Sequence, residues 1–453
     1  MSSRNIAYMT TSDFNMYGGG WIRDATLVNN IRLLGRPINF YSTFYKPFSD
    51  DSVECDGLYF KVRDVLLAHN IPKYYNLPAF PEFENPLKNI PYLNNISIDS
   101  FNFDVFSKKI RKNFDSLIFD LIPFDVKQKQ EFEVLKSLEQ GIDGKLKREV
   151  MSFKNRLVKD KVRLLNTSSL LWSKVSSDIK KNTGLVDVAT IQGYDMIYTS
   201  YRDEYRKEIV SMLKENVKST DSFIAISKYY AGKASSDLDI PLKNIHVIYN
   251  GIDTEKYKLA TVKKDTKCFM ITYLGRIDPK KGLINLVVAA KHMVDGGHKN
   301  FRINVIGSFD RRDSSYINMV QQYISLLKIG GIFDVRLNVS LKEKIKILNI
   351  SDVVVYPTLY PEPFGLVPIE AMACGTPVVL PEHGAFPEII KETGGGLLFR
   401  PNDSYDLSEK LIALMEDRDM LQELSADGLK AVRDKFNARL MAEKVLKVYD
   451  CLV

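Results

Sequence analysis

The sequence predicts an α/β protein of two doubly wound, Rossmann-like domains that face one another across a cleft. Three observations carry that expectation. The 453-residue chain is too long for one core of ordinary size. Short buried apolar runs alternate with amphipathic helical stretches along most of it. The alternation then restarts after a turn at Asn250-Gly251, where glycine supplies a positive φ. The expected domains are residues 1–248 and 249–435, with a last helix over about 436–453 packing back on the first domain. In doubly wound sheets ligands bind at the carboxyl ends of the strands, so the cleft is the expected site.

Asn5 to Thr10 reads as a short buried strand, followed by a loop through Gly18-Gly19-Gly20 and an amphipathic helix from about Trp21 to Leu34. Gly35-Arg36-Pro37 stops that helix, and Ile38 to Ser42 forms the next strand, the order of a right-handed parallel crossover. From about Lys46 to Asp143 prolines and aromatic residues break up weak helical patterns, and this stretch reads as an irregular insertion. Strands at Val162–Leu165, Val186–Ile191 and Ser222–Ile226 alternate with helices at about Ser169–Lys181, Tyr201–Val217 and from Tyr229. The second series has strands at Cys268–Leu274, Arg302–Ile306, Asp334–Leu337, Val353–Tyr356 and Pro377–Leu380, and closes with helices from near Ser404 to Tyr449.

Composition excludes several classes. Apolar residues at 45% and charged residues at 26% suit a folded soluble protein. The N-terminus lacks the basic-then-apolar layout of a secretory signal, and no apolar run is long enough to span a bilayer, so a cytoplasmic protein is expected. Cys55, Cys268, Cys374 and Cys451 are far apart, which argues against a zinc site or disulfide framework and for reduced, mostly buried thiols. The net charge of +7 is a mild excess. Much of it gathers between Lys145 and Arg163, where eight basic side chains interleave with Leu146, Val150, Phe153 and Leu157. Two readings of this basic amphipathic helix stand: a peripheral contact with the inner membrane face, or a surface helix packed on its own domain. No nucleic-acid partner is expected.

The chemistry concentrates in Glu362-Pro-Phe-Gly-Leu-Val-Pro-Ile-Glu370, where a strand gives way to a proline-bound loop and then to a helix starting near Leu366. Free N–H groups of a first helical turn, aided by the helix dipole, make a site for phosphate, and Gly365 lets a ligand come close to them. Glu362 precedes the helix and Glu370 lies a little more than one turn into it, so both can face one ligand bearing hydroxyl groups at either end. Alternatively, Glu362 caps the helix and Glu370 is an ordinary surface residue. Upstream, Gly275-Arg-Ile-Asp-Pro-Lys-Lys-Gly282 sets Arg276 and Lys281 beside another strand end, where two cations can neutralise a leaving diphosphate. None of the five histidines lies in a metal-binding or nucleophile-activating pattern; His383, beside Gly384, is placed to border the site or lie in a surface loop. Asp237-Leu-Asp239 matches a metal-binding string, but its setting beside a helix and a proline turn argues against a metal.

With these residues in view the sequence resembles retaining glycosyltransferase family 4, of GT-B fold: Glu362 and Glu370 look like its E-x7-E signature, and Gly275–Gly282, Tyr249-Asn-Gly-Ile-Asp253 and the N-terminal glycines are similar to its other motifs. The resemblance implies a metal-independent hexosyltransferase that uses a nucleotide diphosphate sugar as donor substrate, needs no cofactor, and acts on a glycan or lipid-linked acceptor. It implies that Glu370 binds the donor ribose, Glu362 the transferred sugar, and Arg276 and Lys281 the diphosphate. Phe364, Gly365 and Leu366 would touch donor through their backbone, and Gly19 and Gly20 would approach from the other domain. Gln192 stands where many members carry a histidine near the reacting carbon; it can hydrogen-bond but cannot carry a proton. A GT-B epimerase or phosphorylase and a catalytically inert sugar-nucleotide-binding scaffold remain as alternatives.

Overall fold

The computed structural model describes residues 5–10, 19–42, 144–195, 202–260, 268–308 and 314–453. The stretch from Lys46 to Asp143, Gly18 and Cys55 therefore lie outside the described residues. The first domain runs β1 (Asn5–Thr10), α1 (Gly19–Leu33), β2 (Ile38–Ser42), α2 (Gly144–Lys159), β3 (Val162–Thr167), α3 (Ser173–Thr183), β4 (Val186–Ile191), α4 (Asp203–Val217), β5 (Ser222–Ala225), α5 (Lys228–Leu238) and β6 (Ile245–Val247). The second runs β7 (Phe269–Leu274), α6 (Leu283–Asp295), β8 (Phe301–Gly307), α7 (Ser314–Leu326), β9 (Phe333–Leu337), α8 (Leu341–Ile350), β10 (Val353–Val355), α9 (Leu366–Ala373), β11 (Val378–Pro381), α10 (Phe386–Thr393) and β12 (Gly396–Phe399). Helices α11 (Ser404–Glu416), α12 (Arg418–Lys435) and α13 (Ala438–Leu452) complete the chain.

Among the described residues each domain holds a six-stranded sheet, ordered β2-β1-β3-β4-β5-β6 and β12-β11-β10-β7-β8-β9. The strand pairs are parallel, as crossover connections through helices require. Both sheets are therefore buried on two faces, which is why strands such as Val353-Val-Val355 read as unbroken apolar runs. The sheets are not isolated from one another: one buried cluster runs from Tyr230 on α5 through Ile252 to Phe364, Phe386 and Phe436. Helix α13 leaves the second domain and packs on the first, joining Val445 and Tyr449 to Leu27 and Ile31 of α1. These sheets and their order bear out the α/β, doubly wound expectation.

Several local expectations are corrected. Gly19 and Gly20 open α1 and are not loop residues. The helix expected from Ser169 begins as a 3₁₀ turn at Leu170–Trp172, capped by the Ser169 hydroxyl, before α3. Strand β12 was not foreseen. Cys374 is buried and Cys268 intermediate, but Cys451 is exposed; burial, aided by Glu370, pushes the Cys374 thiol up to about 12. On the basic helix α2, Val150, Phe153 and Leu157 are packed against Met9, Tyr41 and Leu165, so the apolar face that lipid would take is occupied by the helix's own domain. Among the described residues no helix is long and apolar enough to cross a membrane.

Candidate functional site

Glycine 365 is where β10 and its loop turn into α9. It caps the helix at φ 85°, a conformation that L side chains rarely adopt. A β-carbon there would stand 2.9 Å from the Phe386 ring and 3.5 Å from Glu362. The helix that follows can therefore start close against the Glu362 loop, and Pro368 falls in its first turn, where a missing N–H costs little. Phe364 is buried beneath, with its ring 6.2 Å from both Tyr249 and Phe436.

The loop brings Glu362 to Lys281. Their ion pair is 3.1 Å long, with side chains only 12% and 8% exposed. The Lys281 ammonium also donates to the Tyr356 hydroxyl at 2.7 Å and to that of Tyr360. Burial alone would depress this lysine; the carboxylate of Glu362 and the Tyr360 hydroxyl override it and hold its pKa above the ordinary value. An ammonium has three N–H groups and here all three are engaged. Lys281 is thus not the free cation that its place in the sequence suggests.

Glu370 is buried, correcting the alternative of a surface carboxylate. It accepts from the Tyr257 hydroxyl at 2.6 Å and from the Lys344 ammonium at 3.0 and 3.1 Å. Burial and this carboxylate push the Tyr257 phenol well above its usual range. Each glutamate thus carries a lysine from another element, which is how a charge is kept in a partly dry site. Arg276 differs, being 57% exposed and 3.2 Å from Asp278.

The buried Tyr356 hydroxyl lies among these groups. Burial raises its pKa, and the charges that act on it are those of Glu362, Arg276, Asp278 and Glu370. The structure therefore brings Glu362, Glu370, Arg276 and Lys281 around one tyrosine, at the carboxyl ends of β7 and β10. Leu366 follows Gly365 as the first residue of α9. Gln192 is held within the first domain, its amide donating to Asp24 of α1 at 3.3 Å. His383 binds the Thr358 carbonyl through Nε2 at 2.9 Å and so braces the loop. Asp237 accepts from Tyr194 and Lys233, and Asp239 pairs with Lys214; each is already partnered, and among the described residues no three His, Cys, Asp or Glu side chains form a metal cluster.

Sequence reasoning missed Tyr257, Lys344 and Tyr360. Tyr360 stands two residues before Glu362 and could have been found from the loop itself. The other two come from elements whose meeting only the fold decides.

The family described as glycosyl transferases group 1 matches residues 255–431. The alpha-maltose-1-phosphate synthase of Mycolicibacterium smegmatis is 30% identical over 226 residues, 45% of this chain and 56% of that protein, so the aligned part spans little more than half of the relative. Among solved structures, sucrose-phosphate synthase from Thermosynechococcus elongatus superposes with a TM-score of 0.70 at 18% identity, covering 99% of both chains. HepE of Anabaena in complex with UDP superposes with a TM-score of 0.68 at 16% identity, covering 99% of this chain and 100% of that one. At such identities these likenesses establish the shared fold, GT-B.

Proposed function

We propose that the protein, whose residues 255–431 match the family described as glycosyl transferases group 1, is a retaining, metal-independent glycosyltransferase moving a hexose from a nucleotide diphosphate sugar to a glycan or lipid-linked acceptor. The observation that carries this reading is the pair of glutamates on either side of the α9 start, each held by a buried or half-buried lysine and both acting on Tyr356. A catalytically inert scaffold would have no need of Glu362, Glu370, Arg276 and Lys281 together at one strand-end cleft. UDP, bound by the HepE relative of like fold, is the first donor nucleotide to test.

The chemistry follows from the charges. The glycosidic bond to the diphosphate breaks as the Arg276 guanidinium, the Lys281 ammonium and the N–H groups at the start of α9 take up the developing negative charge. For Lys281 to meet a phosphate oxygen, one of its tyrosine partners must be exchanged. The phenol so released turns its own O–H to the same phosphate. The acceptor hydroxyl then attacks the face the diphosphate has left, giving its proton to a departing phosphate oxygen. Glu362, ion-paired at 3.1 Å, orients the sugar and is not a covalent nucleophile. Gln192 contributes a hydrogen bond from the first domain and moves no proton, and Gly19 and Gly20, at the start of α1, bring backbone N–H groups near the diphosphate.

The test is a panel of UDP-, GDP- and ADP-sugars with the purified chain, in the presence of a chelator. One nucleotide should raise the unfolding midpoint, by about 2.7 kcal/mol of stabilisation at a hundredfold excess over its Kd. Glu362→Ala should abolish transfer and leave nucleoside diphosphate binding intact. Loss of both would assign Glu362 a structural role, and a glycosyl group trapped on Glu362 would overturn the front-face mechanism.

A further inference from the structure

Strand β9 closes one edge of the second sheet, with β8 on one side and, among the described residues, no strand on the other. Its middle residues Asp334, Val335 and Arg336 are exposed. The Asn338 N–H donates to the Gly307 carbonyl of β8 at 2.8 Å. Backbone groups alternate sides along a strand, so those of Asp334 and Arg336 also turn to β8, while Val335 and Leu337 turn theirs outward. Such a row is a template for another strand, and natural edges are commonly blunted by charge or proline. This edge has charges of both signs. Asp334 and Arg336 pair with each other on one face at 2.6 Å, and Arg336 reaches Glu343 of α8 at 3.6 Å.

The order of these residues decides what the edge accepts. Phe333-Asp-Val-Arg-Leu337 reads apolar, acidic, apolar, basic, apolar. A second copy laid antiparallel about a twofold axis at Val335 therefore sets Asp334 of each chain against Arg336 of the other. In that register Val335 faces its own copy as a hydrogen-bonded pair, and the Leu337 N–H meets the Phe333 carbonyl. The Phe333 N–H is not needed, being spent on the Gly330 carbonyl. The charge pairs fall on the non-hydrogen-bonded positions, where side chains of opposite strands come closest. A parallel copy in register would instead set like charges side by side.

Helix α7, which crosses from β8 to β9 and puts Tyr323 in one cluster with Phe333 and Leu337, favours the same partner. From Ser314 to Leu326 it has no charged residue, alone among the described α-helices. Its open face carries Met319 and Leu326, 48% and 75% exposed, beside a surface hollow lined by Asn318, Gln321, Gln322 and Ser325. Depletion of charge, with apolar side chains left in the open, marks a contact surface.

We propose that the β9 edge, with α7 beside it, is a self-association surface at which two copies of this chain join their six-stranded second-domain sheets into one, about a twofold axis at Val335. Antiparallel pairing points the strands of the two copies in opposite directions, so the two strand-end clefts lie at opposite ends of the joined sheet. The inference does not depend on what the cleft binds.

The experiment is sedimentation equilibrium of the full chain, with backbone hydrogen exchange read at Val335 and Leu337. Wild-type protein should become dimeric as concentration rises, and both amides should slow as it does. Asp334→Arg and Arg336→Asp each set like charges against one another at both symmetry-related pairs, and each alone should weaken the dimer by about tenfold or more. Mixed in equal amounts the two variants should form a heterodimer, since every pair is then of opposite sign. Asp334→Arg combined with Arg336→Asp in one chain should likewise restore the homodimer. Val335→Pro should weaken the dimer and spare the monomer, because the N–H it removes faces away from β8. A chain that stays monomeric at every concentration overturns the proposal, and slow exchange at Val335 and Leu337 in that monomer would assign the edge to another segment of the same chain. A dimer that Asp334→Arg, Arg336→Asp and Val335→Pro all leave at wild-type affinity overturns it as well, by placing the contact elsewhere.

Discussion

A buried ionisable side chain must find in its neighbours what it loses in water, and residues differ in how fully they do. Lys281 and Glu370 have partners for nearly every donor or acceptor position. Asp187, on β4 beneath the first domain's surface, does not. Its Oδ2 accepts from the Ser176 and Thr220 hydroxyls at 2.9 and 3.2 Å, while Oδ1 is buried with no partner. Burial pushes this carboxyl up to about 7, opposed by the two hydroxyls; Asp221 pushes the same way as burial and Lys180 against it. The sign for stability follows. Below about pH 4 the group is protonated whether the chain is folded or not, and it contributes no slope. As pH rises toward 7 the unfolded chain ionises first, so stability falls, and above 7 the full penalty remains, on the order of a few kcal/mol. Asp187→Asn should thus gain on wild type in urea unfolding as pH is raised from 5 to 8. A difference between the two proteins that is the same at both pH values would show that Asp187 is not protonated in the fold.

At the scale of elements, the start of α5 meets two elements of the other domain. Ser227 caps it, accepting from the Tyr230 N–H at 3.0 Å and donating to the Pro363 carbonyl at 2.6 Å, one residue beyond Glu362. Glu388 on α10 accepts from the N–H groups of Lys228 and Tyr229 at 3.0 and 2.9 Å and from the Tyr249 hydroxyl at 3.0 Å. A carboxylate from the second domain thus satisfies the free N–H groups of a first-domain helix and meets its dipole. Glu388→Ala should cost about 1–2 kcal/mol, the scale of a lost cap, and speed hydrogen exchange at Lys228 and Tyr229; unchanged exchange there would mean that the domains do not depend on this contact. The sequence discloses half of this arrangement. Ser227 before Lys228 reads as a cap, but Pro363 and Glu388 lie 136 and 160 or so residues away and no periodicity connects them. Strands were legible for the opposite reason: burial on both faces writes itself into consecutive residues, so Asn5–Thr10, Ile38–Ser42 and Val186–Ile191 could be bounded from the sequence. Strand β12 escaped because Gly396-Leu-Leu-Phe399 follows two further glycines and reads as loop. Glu362 and Glu370 were legible through their spacing, whereas Lys344 and Tyr257, which complete Glu370, come from separate segments of the chain.

The whole molecule is joined by two strands of chain that pass each other between the domains. The Ile252 N–H donates to the Phe436 carbonyl and the Ala438 N–H to the Ile252 carbonyl, both at 2.9 Å, a short parallel bridge between the outgoing and the returning crossing. Arg23 of α1 reaches the first crossing through Asn250 at 3.2 Å, and α13 begins just after the second and carries Tyr449 to Asn166 of β3 at 2.8 Å. Any domain closure that excludes water during the proposed transfer has to work through this pair of crossings. Gly251 lies on the first crossing, facing the second, and its φ is not the positive one expected of the Asn250-Gly251 turn. A β-carbon at that position would stand 2.4 Å from the Asn437 carbonyl oxygen and 2.8 Å from the Ala438 nitrogen, and both are backbone atoms that cannot swing aside. Gly251→Ala must therefore push the crossings apart, at a cost of about 1–3 kcal/mol if overpacking in a core is a guide. Urea unfolding should register that loss. Because the second domain holds the residues assigned to the nucleotide, its affinity for the diphosphate should change little while the rate of transfer falls, since only transfer needs both domains in register. A Gly251→Ala protein with wild-type stability and wild-type rate would show that the crossings are slack and that closure is governed elsewhere.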